Sequence, residues 1–282
     1  MTMESAQVDV FDLWDQFVGA QDVPTENIEL ARTALVIAKT EYPNLALEYQ
    51  LSRLNALARG VWRRLHDEPD PLAALNTLSQ YLFDDIGFKG NQDDYYDPRN
   101  SYLNDVLARR LGIPITLALL YIEVGQRAGL RLAGVGMPGH FLVANPEVPD
   151  LYVDPFHGGT LLSTDECKAR FHAITSAETP WDARYLAPIS QRALIGRLMR
   201  NLKQIHLNDR KKERALVIQT LLTRLLPENP DDHRERGLLL YDLADYEAAL
   251  AELRIYLKLA PMAKDRNFIS DLSKRLAGAI EG

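Results

Sequence analysis

The chain has 282 residues, 46% of them hydrophobic and 25% charged, which suits a globular protein able to bury a full core. Its formal net charge of −7 sits entirely in the leader, where Glu4, Asp9, Asp12, Asp15, Asp22, Glu26 and Glu29 meet no basic residue before Arg32. The neutral body lacks the basic footprint of a nucleic-acid binder, and no run of about 18 apolar residues offers a membrane span.

The opening stretch MTMESAQVDVFDLWDQF has no basic leading region and does not read as a signal peptide. The single cysteine excludes an internal disulfide and fits a cytoplasmic location. Residues 1–24 form an acidic N-terminal segment in which Val8, Phe11, Leu13, Trp14, Phe17 and Val18 share one side of a short helix. Such a face either folds onto its own domain or serves as an exposed interaction arm.

Residues 25–186 are expected to hold a small helical subdomain and a mixed domain. Thr25 is an N-cap for a helix carrying Ile28, Ala31, Leu35 and Ala38 on one face, ended by Tyr42-Pro43-Asn44. A second helix is predicted over about 45–65, with Leu47, Leu51, Leu54, Ala58, Val61 and Leu65 at alternating spacings of four and three. Asp70-Pro71 opens a third, with Leu72, Leu75, Leu78 and Leu82 inward.

Gly87 to Asn100 then reads as a long loop with several acids and two tyrosines. The acids lack the alternate spacing and central glycine of a calcium loop, which leaves a solvated loop or one wall of a cleft. Asn100 or Ser101 would cap a helix with Leu103, Val106 and Leu107 inward, and Gly112 would stop it.

Gly112 to Phe156 organises the rest. Pro114 suits a first helical position. From Leu117 to Val124 only Glu123 is charged, so this helix is predicted to be buried on nearly every side, with Gly129 as its left-handed stop. The period then changes, and His140–Ala144 and Leu151–Asp154 read as a hairpin with a loop. That sets His140 beside Asp154, an imidazole oriented by a carboxylate in the manner of a general base. The same pair also occurs as a structural contact. Gly134-Val135-Gly136-Met137-Pro138-Gly139 fits G-x-G-x-x-G, yet Pro138 intervenes and a strand follows instead of a helix, so no dinucleotide cofactor is expected.

Asp97-Pro98-Arg99-Asn100-Ser101-Tyr102-Leu103, Gly112-Ile113-Pro114-Ile115-Thr116-Leu117-Ala118, Pro138-Gly139-His140-Phe141-Leu142-Val143 and Asp154-Pro155-Phe156 follow in order. Together they resemble the transglutaminase-like (papain-related) fold, and more closely the SirB1 family of bacterial proteins. The resemblance spans roughly residues 25 to 265. It implies an α+β, mainly helical protein: a transglutaminase-like core with a small antiparallel sheet, then tetratricopeptide-like helix pairs. It also implies a departure. Pro114 or Ile115 stands where the family's helix presents a cysteine, so His140 and Asp154 carry over as a remnant dyad without the attacking atom. A regulatory or protein-interaction role follows, with a protein or peptide partner. The alternative is a hydrolase or acyl-transfer enzyme in which His140 and Asp154 work with a non-standard nucleophile, Thr116 and Ser101 being the nearest hydroxyls. Candidate binding residues are Tyr96, Asn100, Tyr102, Thr116 and His157.

Cys167 sits in the first turns of a short helix after Ser163-Thr164-Asp165-Glu166, where a thiol is either activated or simply a small buried hydrophobe. His157 stands at the cleft mouth or in an exposed turn before Gly158-Gly159. Cys167, His172, His157 and His140 share no ligand spacing, so no metal site is expected.

Residues 187–282 carry a repeat. Pro227 and Pro261, Ala215-Leu216 and Ala249-Leu250, and Glu213 and Glu247 are each 34 residues apart, a period resembling tetratricopeptide helix pairs. Two pairs do not close a core alone, so they are expected to dock on the central domain or on 265–277 as a capping helix. They form either a peptide-binding groove or a structural buttress. Arg210-Lys211-Lys212 reads as the solvated turn between paired helices.

Overall fold

A computed structural model describes residues 9–18, 28–65 and 70–281. The expected Thr25 cap, Val8 and most of the acidic leader lie outside these residues. Within the leader, α1 (Val10–Phe17) starts on an Asp9 cap and buries Trp14. It therefore folds onto the body, packing on α2 (Leu30–Ala38), while Arg224 pairs with Asp15 and lies 4.7 Å over the Phe11 ring.

The helical subdomain continues with α3 (Leu47–Trp62) and α4 (Pro71–Ser79). Asp70 Oδ2 accepts the Ala73 amide at 2.9 Å, which satisfies one of the orphan donors of a helix start. The α4 helix runs on as a π-helical turn, Gln80–Asp85, which sequence periodicity did not distinguish from α-helix. Lys89–Gly90 (β1) pairs in parallel with Leu111–Gly112 (β2), bracketing a 3-10 turn at Pro98–Asn100 and the short helix α5 (Leu103–Arg109). Gly112 does not stop α5. Arg110 takes the left-handed conformation (φ 60°) that ends it, and Gly112 lies in β2.

The central helix α6 (Pro114–Arg127) is buried from Pro114 through Gly125, as its composition predicts. Its one acid, Glu123, is occupied: Oε1 accepts the Ala31 amide at 2.9 Å and thereby caps α2 from a distance, and Arg127 pairs with its other oxygen. Gly129 (φ 98°) supplies the expected left-handed exit.

Four antiparallel strands follow in sequential order: β3 (Ala133–Val135), β4 (Leu142–Ala144), β5 (Leu151–Asp154) and β6 (Thr160–Ser163). Both faces are covered, which is why the alternation is apolar on both phases. Phe141, Val143 and Val153 join the main core with α6. Val135, Leu142 and Leu162 pack with Cys167 and Phe171 of α7 (Thr164–Ile174). The β4 strand begins two residues later than expected, leaving His140 in the turn that precedes it. The α7 start is fixed by a capping box, Ser163 with Glu166.

The C-terminal helices are α8 (Gln191–Asn208), α9 (Lys212–Leu225), α10 (Pro230–Asp242), α11 (Tyr246–Leu259) and α12 (Arg266–Glu281). The two predicted pairs are α8–α9 and α10–α11, capped by α12. The α8–α9 pair shares the main core with α2 and α6, so the apolar interior runs without a break across residue 187.

Candidate functional site

The site forms where β5 ends. Asp154 is the last residue of β5 and fully buried, and it also starts the 3-10 turn Pro155–His157. Its Oδ1 accepts the amides of Phe156 (3.1 Å) and His157 (3.3 Å), which locks the carboxylate plane. Its Oδ2 is left as a hub. His140 Nε2 lies 2.8 Å from it, His157 Nδ1 lies 3.0 Å from it, and Arg170 of α7 pairs with it. Burial pushes the Asp154 carboxyl up, but the His140 hydrogen bond and the charges of His140, His157 and Arg170 outweigh it and hold the group below the usual carboxylate range.

Two features hold His140 in place. The turn before β4 requires Gly139 at φ 75°, and a Cβ there would meet Ile174. Arg197 of α8 donates from Nη2 to the carbonyls of Met137 and His140, 2.8 Å each, with its guanidinium 5.3 Å from the Phe141 ring centroid. The His140 ring also stands edge-on to Phe156 at 6.2 Å. The nitrogen oriented by the carboxylate is thus already engaged, and among the described residues no hydroxyl or thiol is hydrogen-bonded to either ring nitrogen.

The five candidate binding residues have different fates. Thr116 is buried, and its Oγ1 accepts the Ile113 amide at 3.1 Å and donates to the Asn100 carbonyl at 2.7 Å. Asn100 is buried and ties down the 87–100 loop, holding Asn91 at 3.0 Å and the Asp94 carbonyl at 2.7 Å. Tyr102 is buried with its hydroxyl 3.1 Å from His206 Nε2, joining α5 to α8. These three groups are spent inside the protein and are not open to a ligand. Tyr96 is exposed and His157 half-exposed. The loop does form a wall beside the cluster, but through Tyr95, whose ring sits 6.1 Å from Phe156 and 5.3 Å from Tyr96.

Cys167 makes no hydrogen bond to His140. It is buried on the α7 side of the sheet, and burial pushes its thiol up to about 12, which leaves it protonated. Pro114 and Ile115 are buried at the α6 start. The G-x-G-x-x-G run spans β3 and the turn to β4 with no helix opening behind it.

Sequence spacing suggested no ligand set, but the fold assembles one: the ligating atoms of His140, Asp154 and His157 all lie within 4.8 Å of one another. Arg170 was not anticipated either. No local motif links it to Asp154, and only the packing of α7 on the sheet brings them together.

A histidine in the turn before one strand, paired with the aspartate that ends the neighbouring strand beside a buried helix and followed by helix pairs, defines a transglutaminase-like domain joined to repeats. Accordingly, a family model described as the transglutaminase-like superfamily matches residues 49–200, and one described as tetratricopeptide repeat matches residues 202–273. A UPF0162 protein of Xylella fastidiosa is 38% identical over 274 residues, covering 93% of this chain and 95% of that protein. A UPF0162 protein of Vibrio cholerae is 26% identical over 243 residues, covering 85% and 89%. The chain belongs to the UPF0162 family, a SirB1-like group. F-box only protein 21 of mouse is 39% identical over 103 residues, which are 33% of this chain and 16% of that protein. No solved structure matches.

Proposed function

We propose that the chain acts without catalysis in the cytoplasm, as a regulatory or assembly protein whose transglutaminase-like domain is a binding scaffold and whose helix pairs receive a protein or peptide. One observation carries this reading: among the described residues no hydroxyl or thiol is hydrogen-bonded to either ring nitrogen of the imidazole that Asp154 aligns, so the nitrogen left free to act as a base faces no nucleophile. The positions that open α6 are hydrocarbon, and the Thr116 hydroxyl is consumed by Asn100. A nucleophile and its base need hydrogen-bond reach to cooperate. For the partner, the α8 and α10 faces leave a shallow groove of about 240 Å³ lined by Gln204, Leu207, Leu238 and Leu239, between the paired charges Lys203 and Glu235.

The test has two arms on the full chain. Intact-mass measurement after incubation with amide, ester and electrophilic probes is expected to give no adduct and no turnover. An adduct that disappears in His140→Ala would install the hydrolase or acyl-transfer alternative, which the intact His140–Asp154 pair supports. A photo-crosslinking residue at position 238, in the groove, is expected to trap a partner in cells that the same residue at exposed position 255 does not. Equal trapping at both positions would leave the pairs as a buttress.

A further inference from the structure

The contacts around Asp154 contain a conflict that no tautomer removes. His157 Nδ1 lies 3.0 Å from Asp154 Oδ2 and 2.6 Å from Arg170 Nη1. As a donor it satisfies the carboxylate and meets the guanidinium N–H head on. As an acceptor it receives a hydrogen bond from the guanidinium and turns a lone pair toward a carboxylate oxygen. The same Oδ2 is also the acceptor for His140 Nε2 at 2.8 Å and for Arg170. Three ligating atoms and one guanidinium thus converge where a single cation would satisfy His140, Asp154 and His157 and displace Arg170.

We propose that His140 Nε2, Asp154 Oδ2 and His157 Nδ1 form a binding site for one divalent transition-metal ion of the zinc class, and that Arg170 is the counter-charge that holds the place of the ion in the metal-free protein. Two imidazoles and one carboxylate are a ligand set such ions favour. An ion bound at about 2.0–2.2 Å requires donor atoms roughly 3–3.5 Å apart. Asp154 Oδ2 lies 2.8 Å from His140 Nε2 and 3.0 Å from His157 Nδ1, separations that need to spread by only a few tenths of an ångström, and all three atoms lie within 4.8 Å of one another. His140 and Asp154 are buried, and the two backbone amides on Oδ1 orient the carboxylate as an outer shell would. His157 and Arg170 reach solvent, which gives the ion a path and leaves its remaining position facing out. Arg170 makes its side-chain hydrogen bonds to Asp154 and His157, so its long side chain is released when both turn to the metal. Nothing in this depends on whether the domain is catalytic.

The experiment is titration of the tag-free, chelator-treated full chain with Co2+, read by visible d–d absorption, and with Zn2+ by calorimetry. One ion per chain is expected. Arg170→Gln is expected to tighten binding by about tenfold, because it removes a competing cation, and His157→Ala to weaken it by about tenfold or more. His172→Gln, on the same helix but outside the cluster, is the control and is expected to change nothing. His157 and Arg170 are partly exposed, so both variants are expected to fold, with circular dichroism as the check. Absence of binding in both wild type and Arg170→Gln overturns the proposal. Binding that survives His157→Ala unchanged also overturns it, since the ion would then sit elsewhere.

Discussion

The two C-terminal helix pairs share a 34-residue period but differ in what they bury. The first sends Leu194, Ile195, Leu198, Met199, Leu202, Ile218, Leu221 and Leu222 into the same core as α2 and α6. The second closes a separate small cluster with α12, around Leu253, Tyr256 and Ile269. Between them Leu216 of α9 touches the second cluster, and the rest of the named contact is polar, organised by the Lys203–Gln219 bond that links α8 to α9. Arg200 pairs with Asp232 at 2.8 Å, Lys203 Nζ donates to Gln219 at 2.8 Å and pairs with Glu235, and Gln219 Nε2 donates to the Asp232 carbonyl at 2.7 Å. Sequence repetition sets the shape of a pair, while its neighbour decides whether it is part of the body. Apolar contact couples elements broadly, whereas a polar seam holds only while each partner is present. The α10–α12 unit is therefore expected to open independently of the rest.

The largest break comes from Leu120→Ala in α6. The side chain is fully buried, and the change is expected to cost about 2–5 kcal/mol. If the first pair belongs to the body, α8 and α9 lose hydrogen-exchange protection together with α6. Retained protection in α8–α9 would place them with the second pair and reverse the comparison. Leu253→Ala, equally buried but in the smaller cluster, is expected to cost about 2–4 kcal/mol, confined to α10–α12. Next in size is Lys203→Met. It removes the ammonium from Gln219 and Glu235 and leaves the fully buried Gln219 oxygen without its donor, at about 1–3 kcal/mol. Its expected signature is faster exchange in α10–α12, with the urea midpoint of the body unmoved.

Long-range consequences explain what the sequence did and did not disclose. Periodicity located α3, α4, α6 and the paired helices, because each buries a stripe or a whole surface of its own residues. The hairpin reading brought His140 to Asp154, since a two-residue period fixes which side chains share a face. Three kinds of feature escaped. The stop of α5 fell on Arg110, whose left-handed backbone is paid by the pairing of Lys89 with Leu111 and not by local composition. Thr116, Asn100 and Tyr102 looked like cleft residues because they lie within motifs, but their polar atoms cross-link α6, the 87–100 loop and α8. Arg170 and Arg197 come from two separate helices, so no spacing rule joins them to His140, and His157, a candidate from the sequence, is not linked there to the Asp154 carboxylate it meets. A residue's type reveals the chemistry it is capable of. Its partner is a property of the fold.

The smallest expected effect uses Cys167 as a reporter for the same comparison. The thiol lies between the sheet and α7, in the body, and burial pushes its ionisation up to about 12. Alkylation requires both access and thiolate, so the native chain at pH 8 is expected to react with iodoacetamide at least about a hundredfold more slowly than the unfolded chain, whose thiol ionises near 8.5. Lys203→Met opens the second pair and leaves this rate unchanged, whereas Leu120→Ala raises it. The pH dependence has a definite sign. The unfolded thiol releases its proton first, so the contribution of Cys167 to stability is complete below about pH 8.5 and falls as pH rises toward 12. Cys167→Ser offers a further comparison at alkaline pH, because a serine hydroxyl does not ionise in that range, and its urea midpoint is expected to fall less steeply than that of the wild type. Rapid labelling of the native chain at neutral pH would show instead that α7 lifts from the sheet, so that the body too opens locally and no longer differs from the α10–α12 unit in that respect.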